Sequence, residues 1–237
     1  MNELRWGFIR KVYVILAAQI VFTIIVSSLT ILYSPINQLV GAISGLFFVF
    51  ACLPLILFWP LYIYHQKHPL NFIFLGLFAA SLSISVEVEC ANIEGKVVLE
   101  ALILTSSVVS TLTCYTFWAS RKRNQDFNYL EPILFSSLVV LVLLYFLSLI
   151  MQMFFPSLGL TLSVPVYNGA LGAMVFSGYI IYHTDNLIKR STYEQYILAS
   201  ALLYWDIVYL SLSILRVLKG IYAMSDGGVS NYFGLHY

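Results

Sequence analysis

Four charged residues fall inside stretches otherwise apolar enough to cross a bilayer: Glu100, Asp185, Asp206 and Arg216. Asp206 carries the strongest chemical signal, because it lies near the middle of the segment 196–218, where an aspartate costs about 2.5–3.5 kcal/mol to insert. The protein must offset that cost. Either the carboxylate belongs to an ion or proton site inside a bundle, or it is a structural group bonded to Tyr and Ser hydroxyls, and Tyr209 at i+3 suits both readings.

A second group of polar residues, Tyr182-His183-Thr184-Asp185-Asn186, closes the preceding segment. The short connection that follows makes the two segments antiparallel neighbours. On a helix, positions 183 and 185 point about 200° apart, so only one of His183 and Asp185 can meet Asp206. Read alone, a polar group at a helix end is more often an interfacial residue than a site. Asp185 and Glu100 are accessory candidates; Glu100, near the end of its segment, either lines an outer vestibule or reaches the headgroup region.

Other constellations are weaker. His65 and His68 form an HxxH without a third ligand and fit a solvated loop better than a metal site. Cys52, Cys90 and Cys114 are odd in number and lack CxxC spacing, so neither a disulfide framework nor a cysteine zinc site is expected. HExxH, GxSxG and P-loop patterns are missing, and one intramembrane histidine cannot make a three-histidine zinc centre. The expectation is a non-enzyme without cofactor.

The elements that must position these residues are membrane helices. Of 237 residues, 60% are hydrophobic and 10% charged, against roughly 25% charged in a soluble domain, and the mean hydropathy is +0.88. A net charge of +1 leaves no basic stripe for nucleic acid, so membrane lipids and other membrane proteins are the partners to expect. Seven runs match the roughly 20 residues needed to cross a core about 30 Å thick: 12–33, 39–62, 70–86, 97–119, 132–154, 164–186 and 196–218. They are too long and unalternating for barrel strands, which leaves helices and an all-α, polytopic fold. One membrane domain, 12–218, is expected between an N-terminal segment, 1–11, and a tail, 219–237. The first run lacks an A-x-A-like cleavage site and reads as a retained signal-anchor. Gly41 with Gly45, and Gly169 with Ala173 and Ser177, read as helix-packing surfaces.

Orientation follows from the basic residues of the short loops. Arg5, Arg10, Lys11, Lys67, Arg121, Lys122, Arg123, Lys189 and Arg190 share one side, against Lys96, Arg216 and Lys219 on the other. The N-terminus is expected in the cytosol and, after seven crossings, the C-terminus outside it. A receptor of the G-protein-coupled kind needs the opposite orientation.

Five stretches carry a further likeness: FIRKVY at 8–13, HPLNF at 68–72, EGKVVLEALILT at 94–105, FSGYIIYHTDNLIKR at 176–190 and LYWDI at 203–207. Taken in order, they make the chain resemble the transmembrane Bax-inhibitor-motif family, in particular its plant Lifeguard group, from about residue 5 to residue 218. The resemblance implies a seven-helix fold with a central last helix, residence in endomembranes such as the endoplasmic reticulum or Golgi, restraint of programmed cell death and a pH-sensitive calcium leak. In that mechanism two carboxylates face each other, one opening the xTDN block and one in the last helix. Asp206 matches the second, but His183 stands where relatives carry Asp. Imidazole supplies no oxygen to a calcium ion, so the resemblance implies a weakened cation site. The competing reading is a non-conducting scaffold that binds other membrane proteins.

Overall fold

The computed structural model describes residues 2–32, 44–90, 93–122, 127, 129–154, 163–191 and 195–233. Seven helices make up these residues: α1 (Asn2–Leu32), α2 (Ser44–Tyr64), α3 (Leu70–Cys90), α4 (Gly95–Lys122), α5 (Leu130–Phe154), α6 (Ser163–Lys189) and α7 (Tyr196–Phe233). No strand occurs among them. Each apolar run expected to cross a bilayer lies largely within one helix, yet two helices extend well past their runs. α1 begins ten residues earlier and carries Arg5, Arg10 and Lys11, and α7 continues to Phe233.

The distribution of side chains is that of a protein dissolved in lipid. Large apolar residues point outward, among them Ile56, Trp59, Leu143 and Met174, while Gln19, Asn71, Ser83, Glu87, Asp185 and Asp206 are buried. A soluble domain would reverse this arrangement. By length and composition, α1, α3, α4, α5 and α7 each contain a stretch able to span a membrane, and α2 a shorter apolar one, Leu53–Tyr64. α6 turns polar residues toward other helices: Thr184 and Asp185 are fully buried.

α7 is the axis of the bundle. It packs against α1, α3, α4 and α6, and 56% of its spanning stretch is buried against 6% for α5. It also contributes to each apolar cluster. Leu203, Tyr204, Val208 and Leu212 join Val12, Leu61 and Phe78; Leu215 joins Val97 and Ala101; Leu210 joins Phe176 and Ile180.

The α6–α7 contact is set by small residues. A Cβ on Gly169 would lie 2.8 Å from the Ser213 carbonyl oxygen, and one on Gly172 2.5 Å from Ser213 Oγ. Without side chains there, the two backbones approach closely, as in small-residue membrane interfaces. The close approach uses Gly169, first of the expected series, and Gly172, outside it; Ala173 packs against the cluster of Phe176 and Ile180 with Leu210 of α7. Gly41 lies outside the described residues, and no side-chain surroundings are described at Gly45.

Candidate functional site

The close α6–α7 packing brings His183 to Asp206. His183 Nδ1 lies 2.5 Å from Asp206 Oδ2, with side chains 15% and 3% exposed. Aromatic rings fix both groups. The His183 ring stacks on Tyr179 with centroids 5.5 Å apart. Trp205, beside Asp206 in sequence, stacks on Tyr209 at 5.0 Å and on Phe78 at 5.5 Å. With neutral imidazole the pair carries a local charge of about −1; a proton on His183 takes it to zero.

Two cavities meet at this pair. A larger one, about 440 Å³, lies among α2, α3, α5, α6 and α7, and Asp206 and His183 are in its wall. A smaller one, about 250 Å³, lies toward the basic end of the bundle and includes Tyr182, Asn186, Arg190 and Gln195. His183 and Leu202 line both cavities, so together they form the partition between them.

At the far end of the larger cavity stands an ion pair that sequence reasoning did not find. Arg216 donates through Nε to Glu89 Oε1 at 2.9 Å and through Nη2 to Oε2 at 3.3 Å, the two-pronged geometry of a strong guanidinium–carboxylate contact. The Tyr145 ring faces the guanidinium at 5.5 Å. Glu89 lies beyond the apolar run 70–86, in the last turn of α3. The available signal was the cost of an arginine inside a span, which demands a carboxylate partner.

Asp185 is buried on the face of α6 turned away from Asp206, as the 200° separation requires. Ser120 Oγ donates to its Oδ1 at 2.9 Å, the Phe127 N–H reaches Oδ2 at 3.4 Å, and Lys189 Nζ lies 3.3 Å from Oδ1. This carboxylate therefore ties α6 to the end of α4 and to the approach to α5, and takes no part in the Asp206 contact. Glu100 accepts a 2.8 Å hydrogen bond from Tyr222, joining α4 to α7. The loop histidines have separate partners: His65 Nδ1 lies 2.6 Å from the Tyr62 carbonyl oxygen and His68 Nε2 3.1 Å from Tyr196 Oη. Among the described residues no three metal-ligating side chains gather.

Fold and site define an all-helical, multi-pass membrane protein with a buried His–Asp pair at its axis. The family model for inhibitors of apoptosis-promoting Bax1 matches residues 5–222. The chain is 56% identical to a BI1-like protein of Arabidopsis thaliana over 218 residues, which are 92% of this chain and 82% of that protein. It is 49% identical over 220 residues to Protein LIFEGUARD 4 of the same plant, and 32% identical over 217 residues to the Golgi anti-apoptotic protein of Vaccinia virus strain Lister; both matches cover 92% of this chain and 86% of the relative. The chain belongs to the Bax-inhibitor family and stands with its Lifeguard members.

Proposed function

We propose that this chain is an endomembrane regulator of programmed cell death and calcium homeostasis, working as a pH-sensitive calcium leak that His183 weakens. The observation that carries this reading is the 2.5 Å contact between His183 and Asp206 at the partition of the two cavities. A titratable pair beside two cavities couples its charge to proton concentration, and Asp206 offers a carboxylate to a passing cation. Calcium prefers six to eight oxygen ligands, and the imidazole in this pair adds none. Names of the relatives support the cell-death role, and the viral one supports a Golgi or related membrane. In this reading the N-terminus is cytosolic, the protein is not an enzyme, calcium is a permeant ion and not a resident cofactor, and lipids and other membrane proteins are the partners.

A non-conducting scaffold is the second reading. It is favoured by the His183–Asp206 contact itself, since a carboxylate already held by imidazole is less available to a cation. Calcium-loaded vesicles separate the two. The purified chain should raise efflux above that of protein-free vesicles, with a rate that changes with pH. Efflux at the protein-free rate at every pH would leave the scaffold.

A further inference from the structure

The larger cavity has walls that ion chemistry does not need. Leu138, Leu141 and Val142 of α5 face Leu55 and Phe58 of α2 and Leu212 of α7 across it. Its rim opens sideways: Leu55, Val142 and Phe146 line the cavity and are each at least half exposed on the outer surface, where the hydrocarbon of a bilayer lies. An alkyl chain passing from lipid into such walls exchanges one apolar surrounding for another, at little cost and little gain. Affinity for an amphiphile must therefore come from its polar end.

The charges in the cavity are ordered in a way that selects that end. Its charged and titratable acid–base groups are Glu89, Arg216, His183 and Asp206; Tyr145, Tyr179 and Tyr209 complete its ionisable lining. Glu89 is taken up by the permanently charged guanidinium of Arg216 through two contacts, whereas Asp206 at the other end meets one ring nitrogen of His183. An ammonium complements that carboxylate. A fatty acid would bring its carboxylate either to Asp206 or to a guanidinium that Glu89 already satisfies.

Size agrees. Along α7 the lining runs from Asp206 to Arg216, about 15 Å at 1.5 Å per residue, which matches the roughly 15 Å of hydrocarbon in one leaflet. The volume of about 440 Å³ lies within the ~300–1,000 Å³ of small-molecule sites. We infer that this cavity accepts a single-chain cationic amphiphile from the bilayer, a long-chain amine, with its ammonium at Asp206 and its alkyl chain running toward Arg216. The inference shares the Asp206 site with the proposed function but requires no ion flux.

Trp205 lines the cavity and reports occupancy. The test uses the chain with Trp6→Phe, Trp59→Phe and Trp118→Phe in phosphatidylcholine nanodiscs, titrated with stearylamine carrying a nitroxide on its chain. Quenching of Trp205 should saturate near one amine per chain and reverse with unlabelled stearylamine, while nitroxide-labelled stearic acid should quench weakly and without saturation. Asp206→Asn should raise the half-saturating concentration about tenfold or more, as loss of a charge-assisted contact does. Val142→Phe, which narrows the rim and leaves Asp206 in place, should also weaken the amine. Equal, unsaturating quenching by amine and acid, or unchanged saturation in both variants, would overturn the inference. Calcium efflux from the same preparations reads the ion site separately: flat efflux with saturable amine binding removes the leak and keeps the amine site, and the reverse result removes the amine site alone.

Discussion

Arg216 on α7 and Glu89 on α3 form a two-pronged ion pair ten residues along α7 from Asp206, about 15 Å at the rise of an α-helix. One helix thus carries an ion pair to α3 and a His–Asp contact to α6, at opposite ends of one cavity. Each contact gives a buried carboxylate a polar partner that the membrane interior lacks. Removing one partner of such a pair is costly because the other stays behind uncompensated.

Glu89→Gln should therefore destabilise the bundle more than the double variant Glu89→Gln/Arg216→Met. With the side chains 17% and 20% exposed, the single change should cost about 3 kcal/mol, the lower end of the range for buried pairs. Unfolding in mixed micelles measures both. A double variant less stable than the single would mean that Arg216 packs through its stem and through Tyr145, and that its charge matters little.

Asp206→Asn should alter calcium release and death suppression strongly while leaving the protein inserted, since removing a charge lowers the insertion cost. Glu94→Gln is the control, at an exposed position before α4. Equal and negligible effects of the two substitutions would reduce Asp206 to a structural carboxylate.

His183→Asp should tighten calcium binding and steepen the dependence of calcium efflux on pH between about pH 6 and pH 8. It returns oxygen ligands to a position that touches Asp206, and two facing carboxylates range from −2 upward where the present pair ranges from −1 to zero. Indistinguishable efflux curves for the two chains would show that position 183 lies outside the ion path.

Gly169→Ala should weaken the α6–α7 contact by about 1–3 kcal/mol, the usual cost of overpacking, because the new methyl would meet the Ser213 carbonyl oxygen at 2.8 Å. Gly76→Ala has nothing within 4 Å of the added carbon and should be neutral or slightly stabilising. Thermal unfolding of the pair checks the difference. Equal melting temperatures would mean that α6 shifts at no cost.

Membrane sidedness is tested by cysteine labelling on a cysteine-free background. Ser120 is a poor reporter, being buried against Asp185, whereas Arg190 and Lys96 are exposed near opposite ends of the bundle. Arg190→Cys should react with an impermeant reagent from the cytosolic face and Lys96→Cys only from the other. Reaction of both from one face would contradict the expected number of crossings between them.

Much of the helix pattern was legible because a chain in lipid must keep about 20 residues apolar in a row, a signal that needs no partner to read. The ends were less so: the first turns of α1 and the last turns of α7 are helical without being apolar, and hydropathy is blind to them. His183 and Asp185 could be sorted by face because both lie on one helix, where an angle follows from sequence separation alone. The Arg216–Glu89 pair joins residues 127 apart, and no periodicity encodes such a contact; only the cost of an intramembrane arginine hinted at it. Small residues announced a close helix approach, but which of them made it depended on where Ser213 sits on the facing helix.

The central position of α7 also bears on how the protein is made. A ribosome delivers this helix after the six that precede it, so those six enter the membrane before the element on which α1, α3, α4 and α6 all pack. Until it arrives, His183 has no Asp206, Glu89 has no Arg216, and the glycine face of α6 looks onto lipid or onto whatever holds it. Assembly of the bundle is therefore a late event that follows translation of α7.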